Sequence, residues 1–186
     1  MRRERRIKAS IKREIKDFVK TFLVTAVCVF VCANFIVRPV KVKGSSMYPT
    51  LQDSEYGFSN IIGTKISKLK RFDIVVIYIP EKKEFIVKRV IGLPNEKVSY
   101  VDDQLYINDQ PVEEPFLNTE YKNSYDGTFT DGVLETTLGD DEYYCLGDNR
   151  PNSKDSRYYG PFSANNISSK GILILWPLQS INLLTW

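Results

Sequence analysis

The longest apolar stretch of the chain covers residues 18–37, and only Lys20 and Asn34 interrupt it. Twenty residues in an α-helix rise about 30 Å, which matches the thickness of the hydrocarbon core of a bilayer. Lys20 lies near one end of the stretch, where a lysine can extend its amine towards the membrane surface. The pattern therefore predicts one N-terminal transmembrane helix over residues 18–37.

Two other interpretations of this stretch stay open. A buried core helix is disfavoured because residues 22–33 hold no charge and show no polar stripe. A cleaved signal peptide is compatible with Val31, Cys32 and Ala33, which would pass as a small-residue cleavage site. The apolar run continues to Val37, beyond the length of an ordinary signal-peptide core, and this favours a retained anchor.

Basic residues concentrate before this stretch. Nine of the 26 Lys and Arg residues lie in the first 20 positions, against three acidic residues. The positive-inside rule then places residues 1–17 in the cytoplasm as a basic arm and residues 38–186 outside it. The rest of the chain holds more acidic than basic groups, so the net charge of +3 does not indicate a nucleic-acid-binding protein.

Short apolar runs separated by turn residues dominate residues 38–186, which is typical of β-strands. Two hairpins and two single strands are predicted, at residues 72–79 with 85–91, 97–112, 142–146 and 171–176. Residues 61–69 could form a short turn, and residues 113–142 are polar with few core candidates. We expect an all-β body in which residues 97–142 form an inserted hairpin subdomain or cap.

The chain has three cysteines and no histidine. Cys28 and Cys32 fall within the predicted span and Cys145 in a predicted strand, so they do not form a disulfide framework. Without histidine and with separated cysteines, the sequence predicts neither a metal site nor a cofactor. A serine nucleophile in this chain would need a base other than histidine.

Ser46 lies in the segment G-S-S-M-Y-P-T-L at residues 44–51. Gly44 allows the backbone to approach a substrate closely, and Pro49 stiffens the exit of the loop. This arrangement could present a hydroxyl beside exposed amides. A serine in such a loop is more often a turn residue, so the segment alone indicates little.

Lys88 lies in the predicted strand at residues 85–91. Alternation along a strand places it on the same face as Ile86 and Val90. If that face is buried, desolvation lowers the pKa of Lys88 from about 10.4 towards the 7–8 that suits a general base. If the face is open to solvent, Lys88 is an ordinary surface residue.

A third polar segment, G-D-N-R-P-N-S-K-D-S-R-Y-Y-G, covers residues 147–160. Composition alone would favour a solvated loop. The density of acids, arginines and hydroxyl groups also suits a polar network that holds a site in shape.

Together, these segments resemble bacterial type I signal peptidases, the membrane-anchored serine proteases of the Ser-Lys dyad type. The resemblance covers nearly the whole chain in the family's order. Besides the two segments quoted, it includes R-F-D-I-V-V-I at residues 71–77, K-R-V-I-G-L-P at 88–94 and the closing apolar strand that ends at Trp176 and Pro177. One anchor and a short body are similar to the Gram-positive form.

The resemblance implies roles for individual residues. Ser46 would be the nucleophile, Lys88 the general base, and Ser153 a residue that orients the Lys88 amine. Gly44 and Ser45 would form the loop at the oxyanion hole. Met47 and Ile86 would contact substrate. A network of ion pairs would brace the site, formed by Arg89, Asp148, Arg150, Asp155 and Arg157. Some relatives have a serine hydroxyl as second oxyanion donor where this chain has Gly44.

The implied activity is endoproteolysis of exported preproteins after small residues at positions −1 and −3, without a cofactor. The alternative is a non-catalytic, signal-peptidase-like assembly chaperone for surface proteins or pili, which would be expected to lose the dyad. A self-cleaving repressor-like protein is disfavoured because no DNA-binding pattern is present. The oligomeric state is left open.

The C-terminal segment, residues 172–186, is more apolar than one strand requires. Trp176 and Trp186 are the only tryptophans, and tryptophan favours the membrane–water boundary. A core position for Trp176 stays open. We expect the body to touch the bilayer surface, with the lipid bilayer as a second partner beside the preproteins.

Overall fold

The computed structural model describes residues 2–184, with side chains from residue 12 onwards except that of residue 34. The helices are α1 (Arg2–Val31), α2 (Ile61–Ile66), α3 (Thr119–Asn123) and α4 (Ser156–Tyr159). The strands are β1 (Val37–Lys41), β2 (Tyr56–Asn60), β3 (Ile74–Ile79), β4 (Glu84–Gly92), β5 (Lys97–Val101), β6 (Gln104–Ile107), β7 (Gln110–Val112), β8 (Thr136–Thr137), β9 (Glu142–Leu146), β10 (Phe162–Ser163), β11 (Ile167–Trp176) and β12 (Asn182–Leu184).

The stretch predicted as one membrane helix is divided between three elements. Helix α1 ends at Val31, Cys32–Ile36 form a π-helical turn, and Val37 already belongs to β1, where it pairs with Asn60 of β2. Among residues 2–184, no helix is both long enough and apolar enough to cross a membrane.

The body is mostly β, as predicted, and has two antiparallel sheets. The larger sheet has the order β1-β2-β11-β3-β4-β9-β10, with β12 added alongside β11. The smaller sheet has the order β7-β6-β5-β8 and lies within residues 97–142, although the limits of an inserted subdomain stay a prediction. Residues 61–69, expected to form a turn, contain the short helix α2 instead. Its first turn is stabilised by Asn60, whose side chain accepts a hydrogen bond from the Gly63 amide.

Strand β3 is buried on both faces, which explains its unbroken run of apolar residues. Ile74 and Val76 contribute to one core cluster, and Val75 and Ile77 to another, because successive side chains point to opposite faces. A third cluster joins β4 and β9 to the smaller sheet, through residues such as Ile91, Leu105 and Leu146. These clusters fix β4, the strand that carries Lys88.

The last ten described residues expose a row of large apolar side chains. Trp176 is 58% exposed, which excludes a core position for it, and Leu178, Ile181 and Leu183 are exposed to a similar degree. Leu175 shares a shallow groove with Tyr56 and Phe58 of β2. Trp186, the other tryptophan expected at the membrane, lies outside the described residues.

Candidate active site

Ser46 lies on the loop between β1 and β2, which is anchored at both ends. Gly44 adopts a positive φ of 77°, and its amide donates a hydrogen bond to Asp53 Oδ1 over 2.7 Å. Met47 and Leu51 are buried in the core, and the Leu51 amide donates to the Met47 carbonyl. The buried side chains of Met47 and Leu51 fix the chain directly after Ser46. The half-buried Ser46 therefore has a defined position at the surface of the body.

Lys88 projects from the middle of β4 and is only 2% exposed. Its Nζ donates hydrogen bonds to Ser46 Oγ over 2.7 Å and to the Val87 carbonyl over 2.9 Å. Val90 and Ile86 belong to the apolar cluster on one face of the sheet, whereas Val87 packs against the cluster on the other face. The structure thus brings Ser46 and Lys88 into direct contact beside buried apolar side chains.

Burial lowers the pKa of Lys88 to about 8, against the opposing effect of the negative charges of Asp155 and Asp148. An amine with this pKa is neutral in an appreciable fraction of molecules near neutral pH. A neutral amine within hydrogen-bond distance of a hydroxyl can take up its proton, which is the requirement for a general base.

Asp148 connects three parts of the site. Its carboxylate accepts two hydrogen bonds from Arg89, from Nε over 2.8 Å and from Nη2 over 2.6 Å, and both side chains are buried. The same carboxylate accepts a hydrogen bond from Thr50 Oγ1 over 2.5 Å. Asp148 therefore ties the loop of Ser46 to the residue that follows Lys88.

A second ion pair joins Asp155 and Arg157. Arg157 donates to Asp155 from both Nε and Nη2, and the Gly147 amide donates to the same carboxylate over 3.0 Å. Burial raises the pKa of Asp155, but the hydrogen bonds and charge of Arg157 outweigh it and the pKa lies below its ordinary value. Asp155 thus stays ionised and fixes the start of the segment that follows β9.

Ser153 lies near the site but does not form the hydrogen bond with Lys88 that the family resemblance implied. A side chain at Gly147 would overlap both Ser153 Oγ and the Ser46 carbonyl, so these groups enclose Gly147 closely. Ser153 Oγ is buried, and within residues 2–184 it makes no hydrogen bond with the Lys88 amine, which is directed at Ser46 and Val87 instead.

Arg150 pairs with a residue that sequence reasoning missed. Its guanidinium is fully buried and forms an ion pair with Glu114 rather than with Asp148 or Asp155. The Tyr100 and Thr130 hydroxyl groups accept further hydrogen bonds from Arg150 Nη1, each over 3.0 Å. Glu114 lies in a polar stretch without periodicity, so no local signal distinguished it from a solvated acid.

A cleft of about 670 Å³ opens beside Ser46 and Lys88. Residues of β1 and of the first half of β4 form its walls, and Met47 and Ile86 also line it. Among residues 2–184, β1 pairs only with β2, and β9 pairs with β4 only from Arg89 onwards. The main chain on both sides of the cleft is therefore open to pairing with an extended peptide.

The Ser46 amide is free to donate a hydrogen bond to a bound group in this arrangement. Among residues 2–184 it donates to no other group, whereas the Gly44 amide already donates to Asp53. An unpaired N–H beside a reactive hydroxyl can stabilise a developing oxyanion.

Comparisons with known proteins all give similarity to signal peptidases. A family model described as "Signal peptidase, peptidase S26" matches residues 15–176. The chain is 37% identical over 162 residues to a signal peptidase IB of Staphylococcus aureus strain Mu50, covering 81% of this chain and 84% of the relative. It is 42% identical over 151 residues to a signal peptidase I of Bacillus amyloliquefaciens, covering 80% of each. A crystal structure of a signal peptidase I from Enterococcus faecalis V583 is similar at 35% identity with a TM-score of 0.51, over 56% of this chain and 97% of that one.

Replacing Glu114 with alanine should destabilise the protein strongly. The change leaves the buried Arg150 guanidinium without its counter-charge, and losing one partner of a buried ion pair costs about 3–5 kcal/mol. The free energy of unfolding of the detergent-solubilised chain in urea measures the effect. Glu113→Ala, at the exposed neighbouring position, is the control and should change stability by less than about 0.5 kcal/mol. Equal effects of the two substitutions would contradict the importance of the Arg150–Glu114 pair.

Proposed function

The chain belongs to the signal peptidase family, peptidase S26, and we propose that Ser46 and Lys88 are the nucleophile and general base with which it removes signal peptides from exported preproteins. One observation carries this proposal. The Lys88 amine is buried, has a pKa of about 8 and lies 2.7 Å from Ser46 Oγ. A lysine placed in this way replaces the histidine that the chain lacks.

In the acylation step, neutral Lys88 accepts the proton of the Ser46 hydroxyl while Oγ attacks the carbonyl carbon of the scissile bond. The electron pair of the carbonyl π bond moves onto the carbonyl oxygen, and the Ser46 N–H stabilises the resulting oxyanion. Collapse of the tetrahedral intermediate breaks the carbon–nitrogen bond. The protonated Lys88 gives its proton to the departing amine, which becomes the N-terminus of the mature protein, and an ester on Ser46 remains.

In the deacylation step, the again neutral Lys88 takes a proton from water, whose oxygen attacks the ester carbonyl. The second intermediate collapses with release of Ser46, which regains its proton from Lys88. In each of the two steps, the Lys88 amine accepts one proton and then returns it. The proton transfers therefore balance without a metal or cofactor.

We propose that the substrate binds as an extended strand in the cleft beside the dyad. The unpaired edges of β1 and of the first half of β4 support this mode, since main-chain groups of a peptide can pair with them. Met47 and Ile86 would contact its side chains. The preference for small residues at positions −1 and −3 follows from the family resemblance and is part of the proposal.

We also propose that the chain is a single-pass membrane protein with residues 1–17 in the cytoplasm and the body outside it. The basic arm and the exposed apolar side chains of α1, such as Phe18, Phe22 and Val27, support this orientation. The exposed row from Trp176 to Leu183 supports a second contact, between the body and the bilayer surface.

Replacing either member of the dyad should abolish cleavage. We expect Ser46→Ala and Lys88→Arg each to lower kcat by about three orders of magnitude or more, because the nucleophile is lost in one and a permanently charged side chain replaces the base in the other. Cleavage of a model preprotein by the detergent-solubilised chain measures this. Ser67→Ala and Lys68→Arg are matched controls at exposed positions outside the cleft and should keep full activity.

An active Ser46→Ala variant would rule out Ser46 as nucleophile, and an active Lys88→Arg variant would rule out Lys88 as base. A wild-type chain that does not cleave preproteins would favour the assembly-chaperone alternative.

The pH dependence of kcat/KM should report the deprotonation of Lys88. Because only the neutral amine is a base, activity should be low in mild acid and rise with a midpoint near pH 8. In Ile86→Asp, the new carboxylate favours the protonated amine, raises the pKa of Lys88 and moves the midpoint to higher pH. Ile66→Asp introduces the same charge at an exposed position of α2 and should leave the midpoint unchanged. A midpoint near pH 10.4, or one that does not move in Ile86→Asp, would contradict the role of desolvation.

Contact between the body and the bilayer should make the tryptophans accessible to lipid. In vesicles that contain brominated acyl chains, we expect quenching of tryptophan emission from the full chain, whose only tryptophans are Trp176 and Trp186. The double substitution Leu178→Asp and Ile181→Asp should reduce this quenching, whereas Leu134→Asp, at another exposed position, should not. Unquenched emission from vesicle-bound wild-type chain would show that the body does not touch the membrane.

A further inference from the structure

The peptide group between Ser45 and Ser46 carries the proposed oxyanion donor. In a planar trans peptide, the carbonyl of one residue and the N–H of the next point in opposite directions. Whatever holds the Ser45 carbonyl therefore sets the direction of the Ser46 N–H. The Ser45 carbonyl accepts hydrogen bonds from Asn149 Nδ2 over 2.9 Å and from the Tyr48 amide over 3.0 Å.

Asn149 holds the chain on both sides of Ser46. Besides the bond from Nδ2 to the Ser45 carbonyl, its backbone amide donates to the Ser46 carbonyl over 3.1 Å. The residue is 3% exposed, and the preceding residue, Asp148, is fixed by Arg89 and Thr50. Asn149 is thus a rigid two-point support for the nucleophile loop.

The side-chain amide of Asn149 has a defined orientation because its oxygen is also bonded. Asn149 Oδ1 accepts hydrogen bonds from the Tyr121 hydroxyl over 3.0 Å and from Asn152 Nδ2 over 3.3 Å. A flipped amide would set Oδ1 against the Ser45 carbonyl, so that two acceptors would face each other. A donor on Oδ1 also polarises the amide and strengthens the bond that Nδ2 donates.

Tyr121 reaches this position from helix α3, in the polar stretch that showed no functional pattern. Its ring packs edge-on against Tyr48, with centroids 5.0 Å apart, and against Phe129 at 5.8 Å. Its backbone amide donates to the Asn118 side chain, which caps the helix. The hydroxyl is therefore held by packing and by local secondary structure.

We propose that Tyr121 and Asn149 are positioning residues that aim the Ser46 N–H at the oxyanion. The inference rests on the proposed function of Ser46 and adds to it a hydrogen-bonded relay, from the Tyr121 hydroxyl through the Asn149 amide to the Ser45–Ser46 peptide. Because the oxyanion exists only in the transition state and the intermediates, the relay contributes to kcat and not to substrate affinity.

Tyr121→Phe tests the relay, since it removes the hydroxyl and keeps the aromatic packing. We expect kcat for preprotein cleavage to fall about tenfold, as for loss of one buried hydrogen bond, with KM unchanged. The midpoint of the pH profile should stay where it is, because Tyr121 does not contact Lys88. Tyr125→Phe is the matched control: Tyr125 packs on the same Phe129 ring, is exposed, and should keep wild-type kcat.

A peptide boronic acid gives a second measurement, because its tetrahedral adduct with Ser46 places an oxygen in the oxyanion site. Its inhibition constant should rise in Tyr121→Phe by the same factor as kcat falls, whereas the affinity of an uncleaved peptide should not change. Wild-type kcat in Tyr121→Phe, an equal loss in Tyr125→Phe, or a rise in KM alone would each overturn the relay. These outcomes are distinct from a failure of the proposed function, in which Ser46→Ala would stay active or the wild-type chain would not cleave.

Discussion

The site is arranged around one constraint, which is that the Lys88 amine is buried and its pKa is lowered to about 8. Burial favours the neutral amine, but Asp148 and Asp155 lie close enough to oppose this by stabilising the charged form. Each of these carboxylates is paired with an arginine, Arg89 in one case and Arg157 in the other. The ion pairs therefore do more than brace the site. The positive charge of Arg157 also lowers the pKa of Lys88, against the effect of the two carboxylates.

The same pairs assemble the site from distant parts of the sequence. Asp148 joins the loop of Ser46, through Thr50, to the strand of Lys88, through Arg89. Arg150 then joins this segment to Glu114 and to Tyr100 of the smaller sheet. Buried ion pairs contribute little net stability, but removing one partner is costly, so they specify one arrangement of the loops over others.

The parts of the fold that sequence predicted best are those set by local pattern. The unbroken apolar run of β3 and the alternation around Lys88 follow from strand geometry, which needs only neighbouring residues. Glu114, Tyr121 and Asn149 matter through hydrogen bonds with Arg150, Asn149 and Ser45, respectively. Each of these partners lies 28 or more residues away, and nothing adjacent in the chain reveals it. The Ser153–Lys88 hydrogen bond was inferred from resemblance and is not formed. The helix was predicted to continue to residue 37, because apolar residues continue from Val31 through a π-helical turn into β1. Helix α1 ends at Val31 instead.

The smaller sheet is inserted between β4 and β9, and this order along the chain has a consequence for how activity arises. Lys88 is synthesised well before Asp148, and Arg150 can be buried only after Glu114 has taken its place beside it. A nascent chain that has passed Lys88 but not residue 150 holds both residues of the proposed dyad without the segment that supports them. On the proposed mechanism, proteolytic competence is acquired together with the completed fold, and we expect a partly synthesised chain to be inactive.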